Sequence, residues 1–231
     1  MKQRLAKELL QFIEKSPSTY HVISNLRARL LASGYTELLE TDVWSLQPGG
    51  KYFVTRGGTS CLAFRIPQGS ARGFMMSASH SDSPTFKIKE NPERTSGPYL
   101  QLSTEKYGGM LMAPWFDRPL SVAGRVLVDT EDGIETRLIS IDRDLLIIPN
   151  LAIHMNRAAN DGVKLMANID TLPLLGQAAE KDGFLKMIAD QAGCAPEQIL
   201  GHDLSLYVRQ PGTLLGARQE YLASPKLDDL A

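Results

Sequence analysis

The residues whose types and spacing could do chemistry begin with His80 and Asp82, in the segment Ser79–Pro84. They follow an apolar run that predicts a buried strand over residues 73–79. A strand that ends in His-x-Asp delivers an imidazole and a carboxylate to the rim of a sheet, where open α/β sheets bind ligands. Neutral imidazole is a good zinc ligand, and a nearby carboxylate can orient it or support the metal. The structural alternative is a hydrogen-bonded strand end in which Asp82 caps a turn.

A second acidic cluster, Asp228 and Asp229, lies at the other end of the sequence. It follows Tyr221–Lys226, a stretch that predicts an extended segment arriving at a sheet rim. One carboxylate shared between two metal ions is a common feature of two-metal hydrolytic sites. The alternative is a solvated acidic pair with no role in chemistry.

For the remaining candidates, the residues next to them in sequence favour mainly structural roles. The aromatic pair before Asp117-Arg118 predicts a packed corner with a local ion pair. His154 lies in an apolar setting and is interpreted as a core or interface histidine, and His21 and His202 as structural. The chain has no dinucleotide-binding, P-loop, nucleophile-elbow or HExxH motif.

Composition excludes several classes of function. The net charge of the 231 residues is -1, so no basic field would attract nucleic acid or a membrane surface. The chain has two cysteines without CxxC spacing, which disfavours a disulfide scaffold or a cysteine zinc site. The charged N-terminus is unlike a signal peptide, and no apolar stretch is long enough to span a bilayer. We therefore expect a cytoplasmic protein.

Two kinds of layer are predicted to position these residues. Helical periodicity over Leu5–Ile13 and from Thr19 to a C-terminal Gly34 precedes a hairpin that turns at Gly57-Gly58, which favours an α/β layer. Strand and turn signals then dominate up to residue 148, followed by a mixed tail, which predicts a β domain interrupting an α/β domain. The strands predicted there are Thr85–Lys89, Tyr99–Leu102, Leu120–Asp129, Arg137–Ile148 and Asp203–Val208, with Leu172–Leu175 in the tail and a helix over Phe184–Gln191 that Gly193 closes.

Five segments, taken in order, resemble the M18 metallopeptidases, the aspartyl aminopeptidase family. The first is similar to the family's F-I-x-x-S-P segment, the second to its H-T-D-S-P metal motif, and the third, with Trp-Phe-Asp-Arg-Pro-Leu, is the most specific. They are Phe12–His21, Ser79–Lys89, Tyr107–Val126, Ile148–His154 and Ser224–Leu230.

The resemblance implies an α/β fold, an αβα-sandwich zinc-peptidase domain interrupted by an inserted β-rich dimerisation domain. Residues 1–84 would begin the peptidase domain, 85–218 would form the insertion, and 219–231 would return to an incomplete peptidase domain. It also implies two zinc ions (Zn2+) per complete active site and homo-oligomers assembled through the β-rich domain.

Residue by residue, the resemblance implies that His80 is a zinc ligand and that Asp82 orients it or supports the metal. Asp228 would bridge the two zinc ions, and Asp229 stands where the family commonly has Asn. His154 would be lent to a neighbouring subunit, where it helps to stabilise the reacting carbonyl. The reaction would be hydrolysis of peptide substrates at N-terminal, acidic residues.

Family members continue beyond the Asp228 segment, with paired glutamates, another aspartate and a late histidine that have no counterpart here. Without these ligands and the general base, we expect residues 1–231 to be inactive alone. The alternatives are a non-catalytic assembly subunit or half of a split enzyme. Another co-catalytic zinc peptidase with the same sandwich is a further alternative, which the Trp115–Arg125 segment disfavours.

Overall fold

The computed structural model describes residues 2–227, which form a mixed α/β fold. None of the helices in this range is long and apolar enough to cross a bilayer. The helices are α1 (Lys2–Glu14), α2 (Thr19–Ala32), α3 (Ala167–Asp170) and α4 (Gly183–Ala192). The strands are β1 (Thr36–Glu37), β2 (Lys51–Arg56), β3 (Ser60–Arg65), β4 (Thr85–Ser96), β5 (Tyr99–Tyr107), β6 (Leu120–Thr130), β7 (Gly133–Ser140), β8 (Leu174–Gln177), β9 (Ile199–Val208), β10 (Thr213–Leu215) and β11 (Tyr221–Ala223).

The chain divides into two compact units. Unit 2 is residues 84–211, and unit 1 combines the segments before and after it. Strand β10 precedes the predicted boundary at 218/219, but it pairs with β11 and therefore groups with unit 1. The identity of these units as a peptidase domain and a dimerisation domain stays a prediction.

Unit 1 contains α1, α2 and a three-stranded sheet in the order β1-β2-β3. The predicted ends of the helices are confirmed: α1 stops before Ser16-Pro17, and α2 is followed by Gly34 with φ +76°. Gly57 and Gly58, at φ +60° and +72°, are the central residues of a β-turn in which the Thr59 N–H donates to the Arg56 carbonyl oxygen, and such a turn needs positive φ at both. With Thr59 they form the three-residue loop of the β2–β3 hairpin.

The strand predicted over residues 73–79 is absent, and that prediction is wrong for this chain. Residues 66–84 contain no helix or strand. Phe74, Met75 and Met76 are 92%, 104% and 90% exposed rather than buried. A strand persists only where its backbone groups pair with a neighbour, and none of the described strands pairs with this segment. Apolar composition indicated the tendency to form a strand but could not supply the partner.

Unit 2 is built on a six-stranded sheet in the order β7-β6-β9-β4-β5-β8, whose neighbouring strands pair antiparallel. Phe184 and Ile188 of α4 belong to its buried apolar cluster. The Glu93 carboxylate, at a bulge in β4, accepts hydrogen bonds from the N–H of Asp182, directly before α4, and from that of Phe184 in its first turn, the latter at 2.7 Å. Gly193, at φ +68°, closes α4 as predicted.

The strand predicted over Arg137–Ile148 ends early, at Ser140. Residues 142–144 leave the sheet, and Arg209 of the segment after β9 forms ion pairs with Asp142 and Asp144. The chain rejoins the sheet edge at Leu146, which bridges Leu120. Charged residues that pair with a distant arginine therefore interrupt the predicted strand.

Candidate active site

Ser81 fixes the irregular segment that carries His80 and Asp82. Its Oγ donates a hydrogen bond to the Thr59 carbonyl oxygen at 2.7 Å and lies 3.1 Å from the Thr19 Oγ1 at the start of α2. One serine thus ties the segment to the β2–β3 turn and to α2. Ser81 belongs to no predicted set of site residues; its position between His80 and Asp82 is the one signal in the sequence.

His80 and Asp82 lie in direct contact. The His80 Nδ1 is 2.9 Å from the Asp82 carbonyl oxygen and 3.1 Å from its Oδ1. Both of these oxygens are acceptors when the carboxyl is ionised, so Nδ1 carries the proton and Nε2 keeps its lone pair in the neutral ring. About a third of each side chain is exposed, at 31% and 38%. This arrangement matches the way in which carboxylates and carbonyls orient metal-binding histidines.

The described donor set does not complete a zinc site. Within residues 2–227, no group of three or more His, Cys, Asp and Glu side chains is arranged to hold a metal ion. A catalytic zinc normally takes three protein ligands and a water molecule. His80 with Asp82 has the form of one oriented ligand, but these residues alone do not fit a whole zinc centre.

Asp228 and Asp229 lie outside the described residues, but Lys226 directly before them is described. Its Nζ donates hydrogen bonds to the carbonyl oxygen of Ile13, in the last turn of α1, at 2.7 Å and to that of Ser16, just after the helix, at 2.8 Å. Burial lowers the pKa of Lys226 to about 8, although the charge of Glu14 opposes the shift. The lysine therefore holds the segment before Asp228 against the end of α1, a contact that no local pattern indicated.

His154 belongs to unit 2 and is exposed, so it is not a core histidine, whereas its interpretation as an interface histidine stays a prediction. It lies in a turn in which the Met155 N–H donates to the Ala152 carbonyl oxygen at 2.8 Å. The His154 ring is therefore not enclosed by apolar side chains, although its neighbours in sequence are apolar. His80 and Asp82 are thus brought together within unit 1, whereas His154 is carried by the other unit.

The family model described as Aminopeptidase I zinc metalloprotease (M18) matches residues 12–231. The chain is 44% identical to the probable M18 family aminopeptidase 2 of Clostridium acetobutylicum, in a match that covers 97% of this chain and 54% of the relative. The cryo-EM structure of the Ape4 and Nbr1 complex contains a chain that it matches with a TM-score of 0.91 and 34% identity, over 97% of this chain and 48% of that one. The S. cerevisiae mApe1 dodecamer gives a TM-score of 0.77 and 27% identity, over 97% and 52% of the two chains.

The comparisons agree with the resemblance found in the sequence. The chain spans about half the length of the curated relatives it matches. The family model matches nearly all of the chain, including His80, Asp82, His154 and the Asp228 segment. On this ground the chain belongs to the M18 family of zinc aminopeptidases.

Proposed function

We propose that this chain supplies the His80 part of the zinc site of an aminopeptidase that removes N-terminal, acidic residues from peptides. The observation that carries the proposal is the pairing of His80 with Asp82, which leaves Nε2 available as a ligand. Asp82 fixes the tautomer and orientation of the ring, and Asp228 is proposed as the carboxylate that bridges two zinc ions. Bound zinc supplies a Lewis acid and lowers the pKa of a bound water.

His154 is proposed to act at the active site of a neighbouring subunit, where its ring helps to stabilise the reacting carbonyl. Its exposure in unit 2 supports this role, because a histidine that reaches another subunit must lie at the surface. We propose that unit 2, residues 84–211 rather than the predicted 85–218, forms the dimerisation domain and that the protein is a cytoplasmic homo-oligomer. The dodecamer formed by S. cerevisiae mApe1 supports a large assembly.

A second candidate is that the chain is half of a split enzyme or a non-catalytic assembly subunit. The exposed Phe74, Met75 and Met76 favour the split enzyme, because an apolar segment that could pair as a strand is left uncovered. In either case, the chain alone is expected to be inactive.

The test is hydrolysis of an N-terminal aspartyl peptide by the purified chain loaded with zinc or cobalt, before and after chelation. We expect no chelator-sensitive turnover from the chain alone. We expect turnover when it is co-folded with the part of the C. acetobutylicum relative that it does not match. Chelator-sensitive turnover by the chain alone would show that the proposed inactivity is wrong.

In the active mixture, His80→Ala should lower kcat/KM by more than about 1000-fold because a metal ligand is lost. Asp82→Asn should lower it by about 10- to 100-fold, the usual effect of removing a carboxylate that orients a ligand. Asp132→Asn, an exposed turn position in unit 2, is the matched control and should have no effect. Equal activity of the His80→Ala and unaltered mixtures would contradict the proposed site.

A further inference from the structure

Asp117 adopts a backbone conformation that few residues other than glycine adopt. It lies after the short helical turn Ala113–Trp115, with φ +58°. Aspartate tolerates this left-handed region better than most side chains, but the conformation persists only where surrounding contacts hold it. The contacts of Asp117 therefore indicate which part of the structure requires this corner, the turn formed by residues 113–117.

Two of these contacts reach the same distant segment. The Asp117 N–H donates to the Ile148 carbonyl oxygen at 3.0 Å, and its Oδ1 accepts from the Asn150 N–H at 2.9 Å. The Asn150 side chain continues the arrangement, because its Oδ1 accepts from the Leu151 N–H at 2.9 Å. Asp117 thus hydrogen-bonds to both Ile148 and Asn150, in the stretch of chain just before His154.

The corner that carries Asp117 is itself anchored in the core of unit 2. The Trp115 ring meets the buried Phe86 ring edge to face, with centroids 5.2 Å apart. Phe116 forms an isolated β-bridge with Ile148, which is fully buried. Leu120, which begins β6 just after the corner, is fully buried as well. Asp117 therefore connects a fixed base to the exposed chain beyond residue 148.

Beyond this connection the chain loses long-range backbone support. In the described chain, the backbone hydrogen bonds found between residues 151 and 165 close only short turns, such as Met155 to Ala152 and Asn156 to Ile153. His154 lies four residues after Asn150. We infer that Asp117 is a positioning residue, which fixes the direction in which the His154 loop (residues 149–157) leaves the core. Its importance for catalysis rests on the proposed function of His154; the positioning itself does not.

Two properties of Asp117, its positive φ and its side-chain acceptor, can be separated with three substitutions. Asp117→Asn keeps a side-chain acceptor and tolerates positive φ, so it should preserve the loop. Asp117→Gly keeps the backbone conformation and removes the acceptor, so it should release the loop without unfolding the unit. Asp182→Gly is the matched control, because Asp182 is also left-handed, at φ +70°, and lies in unit 2 directly before α4.

The first measurement is backbone amide exchange of the peptide that covers residues 148–157. We expect exchange to be about tenfold faster in Asp117→Gly and unchanged in Asp117→Asn and Asp182→Gly. The second is the Cε1–Hε1 resonance of His154, assigned among the four histidines with His154→Gln. It should shift in Asp117→Gly and return to the wild-type position in Asp117→Asn.

Asn150→Pro tests the same contact from the donor side, since it deletes the N–H and leaves Asp117 intact. Asn150→Ala is its control, because it keeps the N–H and removes only the side-chain contact with Leu151 that proline also loses. Asn150→Pro should reproduce the shift of the His154 resonance even if Asp117→Gly does not fold. Unchanged exchange and an unchanged resonance in the folded variants overturn the inference. Neither readout needs turnover, so failure of the proposed function is seen separately, as loss of peptide hydrolysis in the active mixture. If that mixture is active, Asp117→Gly should lower kcat and leave KM nearly unchanged.

Discussion

His21 and His80 belong to the same unit, yet different surroundings set the state of each ring. Acceptors on Asp82 hold the proton on the His80 Nδ1. At His21, burial and then the nearby charge of Lys226 lower the pKa to about 4, and Nδ1 is hydrogen-bonded to the Ser18 hydroxyl at 2.8 Å. His21 is therefore neutral over the range in which an ordinary histidine gains its charge.

The lowered pKa of His21 makes the stability of unit 1 sensitive to acid. Between the ordinary pKa of 6.5 and about 4, the unfolded chain binds a proton at His21 that the folded unit does not bind. Stability is therefore present above pH 6.5 and falls as the pH drops through this window. We expect the free energy of unfolding to fall by about 2 kcal/mol by pH 4, allowing for the partial exposure of the ring.

Urea unfolding at pH 7 and pH 4.5 measures this loss. A Trp115→Phe background leaves Trp44 of unit 1 as the remaining one of the two tryptophans. His21→Gln cannot gain the charge, so it should lose less stability between the two pH values than the parent does. An equal loss in both proteins would exclude His21 as the source.

Among the elements, β6 leaves no room for a side chain at Gly124, where it faces β9. Gly124 has φ +156°, and a Cβ built there would lie 2.1 Å from the Asp203 carbonyl oxygen of β9. Backbone cannot move aside as the end of a flexible side chain can. The pairing of β6 with β9, both inside the sheet of unit 2, therefore depends on this glycine.

Gly124→Ala should lower the free energy of unfolding of unit 2 by about 3 kcal/mol, because it combines backbone strain with overpacking. Gly201→Ala in β9 is the matched control, since a Cβ there meets nothing within 4 Å. We expect the control to change stability by less than about 1 kcal/mol. Thermal unfolding followed through Trp115 in a Trp44→Phe background gives both values; similar losses for the two variants would refute the steric explanation.

Other elements show which features of the fold could be predicted from the sequence. The β2–β3 hairpin and the ends of α2 and α4 were predicted because glycine at a turn or helix end acts locally. Residues 73–79 and 142–144 were not, because their conformations depend on partners distant in sequence. The contact between His80 and Asp82 follows from a spacing of two residues, whereas the anchoring of Ser81 to Thr59 and of Lys226 to Ile13 joins distant parts of the chain.

On the scale of the whole molecule, two folded units coexist with an apolar segment that neither helix nor strand contains. Phe74, Met75 and Met76 lie together in that segment, all at least nine-tenths exposed. Short apolar segments with unpaired backbone groups readily associate with copies of themselves. The folded units are therefore expected to stay intact while this segment limits the solubility of the chain.

The double variant Phe74→Ser, Met76→Ser should raise the concentration at which light scattering first increases, by about threefold or more, because it removes exposed apolar surface. Its unfolding midpoint should remain within about 1 °C of the parent, since neither side chain is buried. Val43→Ser is the control: Val43 is 100% exposed in unit 1 and outside the segment. A solubility gain of equal size from the control would assign the effect to general surface polarity.

The exposure of Met75 and Met76 also has a redox consequence. Both residues are open to solvent, at 104% and 90% exposed, and oxidants attack accessible methionine first. Each sulfoxide replaces an apolar group by a polar one, so peroxide would make the segment both more soluble and less able to pair as a buried strand. The oxidation state of two methionines would thus set whether this part of the chain is still able to join a sheet.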